Sequence, residues 1–120
     1  MSDAAKLPPT EIRVSPDRRT LTLRWSDGSL DELPAEMLRV LSPSAEVQGH
    51  SPAQRQTLGG KRDVKVADLR PIGHYAVRIV FDDGHDSGLY TWTFLARLGR
   101  ERDTLWQAHL AELEAKGIRR

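Results

Sequence analysis

The run Asp82-Asp83-Gly84-His85-Asp86 places three carboxylates and an imidazole within five consecutive positions. Oxygen and nitrogen donors of these types are what a divalent cation takes. Asp83, His85 and Asp86 are therefore the first candidate metal ligands. His50 is the next; like His85 it follows a glycine, which lets a backbone approach a neighbour closely. A plainer reading stands beside this one. Asp-Asp-Gly is ordinary turn chemistry, and charges at a hairpin tip are usually solvated.

The other reactive groups do not converge in sequence. Gly59-Gly60-Lys61 lacks the phosphate-loop spacing and the hydroxyl residue that should follow the lysine. Ser42, Ser44 and Ser51 sit in no nucleophile-elbow context. The His-x-Asp or His-x-Glu pair common in non-haem iron oxygenases is absent after His50, His74, His85 and His109. His109 reads as a histidine at the edge of the core and His74 as a turn residue. The chain has no cysteine. Disulfides, thiolate zinc sites, cysteine-ligated iron–sulfur clusters and cysteine nucleophiles are thereby excluded. With no convergent catalytic set, the expected protein is not an enzyme.

The elements that must position these groups can be read from periodicity. Ile12 and Val14 alternate with polar residues, as do Leu21, Leu23 and Trp25, with Ser15-Pro16-Asp17 as the turn between them. Ser26-Asp27-Gly28 is a second turn, and Leu30 and Leu33 form a short returning strand. Pro34 suits the first turn of a helix carrying Met37, Leu38 and Leu41. The stretch from Ser42 to Arg62 is rich in Ser, Pro, Gly and Gln and poor in large apolar residues, so it reads as a long mobile or partner-contacting loop. Val64, Val66 and Leu69 open a strand that should stop near Pro71. Tyr75, Val77, Ile79 and Phe81 line the buried face of the next strand, and His85 to Tyr90 return. Thr91 is placed to cap a helix bearing Trp92, Phe94, Leu95 and Leu98, with Gly99 as its stop. A last helix spans about Asp103 to Lys116. The main core is expected from Trp25, Val77, Ile79, Phe81, Trp92, Phe94 and Leu95.

Two strand–turn–strand–helix units emerge, about 56 residues apart from Gly28 to Gly84. The predicted fold class is α+β: two antiparallel β-hairpin–helix units forming one small domain, plus a C-terminal helix. Residues 1–9 are expected to be disordered, 10–99 to form the domain, and 100–120 to supply the helix packed on it.

The segments Leu33–His50 (LPAEMLRVLSPSAEVQGH), Gly60–Val64 (GKRDV) and Tyr75–Gly99 (YAVRIVFDDGHDSGLYTWTFLARLG) resemble the gamma-butyrobetaine hydroxylase-like N-terminal domain family. The resemblance runs from about Glu11 to Gly99, with the segments in matching order. It implies a domain found alone in bacterial proteins, ahead of the catalytic domain of 2-oxoglutarate-dependent hydroxylases, or attached to scaffold ATPases of iron–sulfur cluster assembly. In the hydroxylases it implies a structural zinc held by three cysteines just after a Leu-Arg pair and by a histidine after the second hairpin turn. Here Leu38-Arg39 is followed by Ser42, Ser44 and Val47 at the cysteine positions, and only His85 matches.

Lys and Arg total 18 against 17 Asp and Glu, a net charge of +1. That balance gives no global field for nucleic acid or anionic lipid. No stretch is long and apolar enough to span a membrane, and the N-terminal residues lack a signal-peptide pattern. The expected protein is cytoplasmic and binds neither nucleic acid nor membrane. It serves an unidentified protein partner as an adaptor module and carries no resident cofactor. The alternative is a zinc- or iron-binding delivery protein linked to iron–sulfur assembly.

Overall fold

The turn Trp25-Ser26-Asp27-Gly28-Ser29 is built the same way as Phe81-Asp82-Asp83-Gly84-His85. In the first, the Trp25 N–H donates to the Ser29 carbonyl at 2.9 Å and the Gly28 N–H to the Trp25 carbonyl at 2.9 Å. In the second, Phe81 donates to His85 at 2.9 Å and Gly84 to Phe81 at 3.1 Å. Asp27 Oδ1 accepts from the Ser29 N–H at 2.9 Å, as Asp83 Oδ1 does from the His85 N–H at 3.1 Å. Gly28 and Gly84 sit at φ 88° and 94°, a region that disfavours side chains. These paired turns sit at equivalent places in two units of similar plan.

The computed structural model describes residues 7–49 and 56–120, residues 45 and 46 by their backbone alone. The first unit is an antiparallel sheet of β1 (Glu11–Val14), β2 (Thr20–Arg24) and β3 (Leu30–Pro34) in that order, followed by α1 (Ala35–Val40). A short helix, α2 (Ala45–Gln48), comes next. The second unit repeats the plan with β4 (Val66–Ile72), β5 (Ala76–Phe81), β6 (Leu89–Thr91) and α3 (Trp92–Arg100). Helix α4 (Arg102–Ala115) completes the described chain. The α+β class read from the sequence is the observed one.

The core lies where the two sheets and α1 and α3 meet. Leu21, Leu23 and Leu33 come from the first sheet, Val77, Ile79 and Phe81 from the second, with Leu38 and Leu95 from the helices. Period-2 alternation sends Leu21 and Leu23 of β2, and Val77, Ile79 and Phe81 of β5, to the core-facing side of their sheets. Trp25 and Trp92 are buried and each indole N–H finds an acceptor: Asp31 Oδ2 at 2.7 Å and the His74 carbonyl at 2.7 Å. Thr91 caps α3 as expected, accepting from the Phe94 N–H at 3.1 Å.

Several local expectations are corrected. Tyr75 lies outside β5 and is 55% exposed, so the buried face begins at Val77. Phe94 is only partly buried and packs at the margin of the core. The returning strand after Gly84 is confined to Leu89–Thr91. Pro34 ends β3 at the N-cap of α1 and does not enter the helix. Pro71 does not stop β4, because β4 is an edge strand and an edge tolerates a residue without an N–H. Gly99 does not end α3. A Cβ there would lie 2.3 Å from the Asp31 carboxylate carbon, so glycine admits a close approach between α3 and β3. The start of the presumed loop is packed: Val47 is 1% exposed, and Ser42 and Ser44 are buried with it. The disordered start expected for residues 1–9 falls largely on residues outside the described ones.

Candidate functional site

Helix α1 ends at Val40 with Leu41 as its C-cap, and the chain then turns toward the β5–β6 connection. Ser42 and Ser44 follow immediately, and the Gln48 side chain of α2 donates to the Ser42 carbonyl at 2.8 Å, pinning the segment. On the opposing side the Asp-Gly turn delivers His85, whose ring is tilted against Phe81 with centroids 6.1 Å apart. Nε2 of His85 lies 2.9 Å from Ser42 Oγ and 3.4 Å from Ser44 Oγ. The Ser44 N–H also donates to Ser42 Oγ at 3.3 Å. Ser42 is 0% and His85 6% exposed. This is a buried polar knot whose members satisfy one another, as buried polar groups must.

Two neighbours enclose the knot. A Cβ at Gly88 would lie 2.6 Å from Ser42 Oγ, so the chain passes the serine with no room for a side chain. Tyr90, fully buried, donates its hydroxyl to the Leu38 carbonyl at 2.5 Å. Burial pushes the Tyr90 phenol above its ordinary range, outweighing a hydrogen bond with Ser42 that acts the other way.

Asp83 stands at the rim. Its Oδ2 accepts from Arg39 Nε at 2.8 Å and from Lys61 Nζ at 2.7 Å, while Oδ1 takes the His85 backbone N–H at 3.1 Å. Burial alone would raise this carboxyl. Hydrogen bonds from Lys61, the His85 N–H and Arg39 outweigh that effect and hold it down to about 2. One Nη of Arg39 is buried without a hydrogen-bond partner among the described residues. Asp83 thus ties the second turn to α1 and to the segment leading into β4.

Of the residues singled out in the sequence, Asp83 and His85 come together, but through the His85 backbone. The His85 ring points to the two serines. Asp86 is exposed at the surface. His50 lies outside the described residues. His74 is exposed, and His109 is buried on α4 beside Trp106 at 5.2 Å between ring centroids. Arg39 and Lys61 were missed, since 44 and 22 residues separate them from Asp83 and no local pattern links them. Among the described residues no group of three or more His, Cys, Asp or Glu lies close enough to hold a metal ion. The implied zinc does not fit the donors at the matching positions: one imidazole, two neutral hydroxyls and the apolar Val47 supply no thiolate.

The comparisons with known proteins agree with this architecture. The family model described as gamma-butyrobetaine hydroxylase-like, N-terminal, matches residues 12–96. A protein solved in solution by NMR is 45% identical, with 97% of this chain and 91% of that chain covered and a TM-score of 0.84. A second NMR structure is 37% identical, covering 100% and 89% of the two chains at a TM-score of 0.85. A crystal structure of a protein of unknown function from Acidithiobacillus ferrooxidans, of the DUF971 family, is 40% identical over 76% of this chain and 91% of that one, at a TM-score of 0.64. No curated protein matches the sequence significantly. On the family match and these identities, the chain belongs to the gamma-butyrobetaine hydroxylase-like N-terminal domain family.

Proposed function

We propose that the protein is a non-catalytic interaction module that acts as an adaptor in the cytoplasm, like the accessory domain that precedes a hydroxylase catalytic domain. One observation carries this reading: among the described residues, the reactive side chains that come together at the candidate site are consumed in holding the fold. Ser42, Ser44 and His85 bond to each other out of reach of solvent. Asp83 is taken by Arg39 and Lys61. A nucleophile must be reachable by its substrate, and Ser42 is enclosed by Gly88 and Tyr90. What the domain offers a partner is its surface.

A second reading, a metal-delivery protein linked to iron–sulfur assembly, is favoured by the convergence of the cysteine-equivalent serines on His85. One experiment separates the two. The purified chain is equilibrated with zinc or ferrous iron, dialysed and subjected to elemental analysis, and partners are captured from the native cell with and without the metals. The adaptor reading expects substoichiometric metal and a metal-independent partner. Stoichiometric metal that survives dialysis and is lost in His85→Ala would replace it with the delivery reading.

A further inference from the structure

Glu36, in the first turn of α1, is 7% exposed, and among the described residues only Arg120 hydrogen-bonds its carboxylate. Arg120 Nη2 reaches Oε1 at 2.8 Å and Nε reaches Oε2 at 3.1 Å, a two-pronged guanidinium–carboxylate pair. The same guanidinium lies over the Trp106 ring, 5.5 Å from its centroid.

The backbone of the tail is held as well. Helix α4 ends with Gly117 at φ 66°; the Gly117 N–H donates to the Glu114 carbonyl at 3.1 Å and the Ile118 N–H to the Leu113 carbonyl at 2.9 Å. This helix-terminating reversal turns residues 118–120 back across the fold. There the Gly60 N–H donates to the Arg119 carbonyl at 2.9 Å. A Cβ at Gly59 would lie 2.1 Å from that carbonyl and 2.3 Å from Ile118 Cγ2, so only glycine lets the two segments come this close.

We propose that the groove formed by Glu36, Trp106 and Gly59–Gly60 is a receptor for an arginine-bearing peptide segment, filled here by the chain's own residues 118–120 and open to the same kind of segment from a protein partner. A carboxylate this buried is costly without a cation, so any segment that replaces the tail over Glu36 must bring a cation of its own. A planar fork matches both carboxylate oxygens and stacks on the indole, which an ammonium does not. Among the described residues the tail is held by Arg120, by the backbone hydrogen bonds of Ile118 to Leu113 and of Gly60 to Arg119, and by Ile118, itself 37% exposed, a small set of contacts that makes exchange feasible. The inference rests on the interaction-module reading and specifies the chemistry of one ligand.

The test is a titration of a labelled acetyl-Gly-Ile-Arg-Arg-amide peptide into the full chain carrying Arg120→Ala, beside the wild type and the double variant Glu36→Gln/Arg120→Ala. Arg120→Ala should bind the peptide about tenfold or more tightly than the wild type, whose tethered tail competes at an effective concentration of order millimolar. The double variant should lose that binding, and a peptide with lysine for the last arginine should bind more weakly. A second measurement does not depend on the double variant folding: ethylguanidinium should raise the melting temperature of Arg120→Ala more than that of the wild type, and more than ethylammonium does. Equal peptide affinity for wild type and Arg120→Ala, or no preference for guanidinium over ammonium, would overturn the assignment. Such a failure removes the groove and leaves the module reading to partner capture.

Discussion

His85 Nε2 and Ser42 Oγ meet at 2.9 Å across 43 residues of sequence, inside the protein. The contact joins the segment after α1 to the turn between β5 and β6, and so couples the two units through a buried polar pair. Ser42→Ala removes one member and leaves the imidazole with Ser44 alone among the two serines. It should destabilise the fold by about 1–3 kcal/mol, the cost of a lost buried hydrogen bond. A double-mutant cycle with His85→Ala, read by urea denaturation, should return a coupling of about 0.5–3 kcal/mol. Additive effects would mean the pair does not hold the units together.

Asp83 makes the stability depend on acid. Its carboxyl falls from an ordinary 3.8 to about 2 in the folded protein. A lowered folded value means the stabilisation is fully present above the unfolded value and fades as the pH drops from about 4 through about 2. Denaturation midpoints of Asp83→Asn, measured across that window, should fall less steeply with acid than those of the wild type. Parallel acid limbs would show that Arg39 and Lys61 do not stabilise the ionised carboxyl.

Ile79 and Tyr75 separate the buried face of β5 from its approach. Ile79 is 0% exposed, and Ile79→Ala should cost about 2–5 kcal/mol. Tyr75→Ala, at an exposed position, should stay within about 0.5 kcal/mol of the wild type. Chemical denaturation of both variants checks the register. A large loss at Tyr75 would place its ring in the core.

Gly99→Ala reverses the usual rule for helix interiors. Alanine normally gains about 0.5–1 kcal/mol over glycine in a helix. Here the new methyl meets the Asp31 carboxylate, which holds the Trp25 indole N–H at 2.7 Å. Displacing that carboxylate forfeits a charge-assisted hydrogen bond of about 1.5–3 kcal/mol, so the variant should be less stable. The Trp25 indole N–H resonance should shift in the NMR spectrum. An unmoved resonance with raised stability would show that α3 and β3 have room to spare.

The elements were largely legible because their signals are local. Strand alternation marked Leu21 and Leu23, and Val77, Ile79 and Phe81; turn chemistry marked Gly28 and Gly84, both at positive φ. Gly99 was misread because a glycine late in a helical pattern resembles a terminator, whereas its reason is a neighbour 68 residues earlier. Ser42 and Val47 were read as loop for lack of apolar density. Short segments can be buried by a hydroxyl that finds a partner and by a single anchoring side chain, and neither leaves a periodic trace.

By itself the sequence determined the α+β class, the repeated unit, and the exclusion of a thiolate metal centre, because residue types, turn glycines and period-2 patterns act on the backbone within a few positions. Only the tertiary structure decided which groups meet. Asp83 with Arg39 and Lys61, His85 with Ser42 and Ser44, and Glu36 with Arg120 are all pairings of distant residues. Such partners are chosen by how two sheets and their helices pack, since a side chain pairs with whatever group the packed backbone brings within about 3 Å, and sequence separation has no part in that distance.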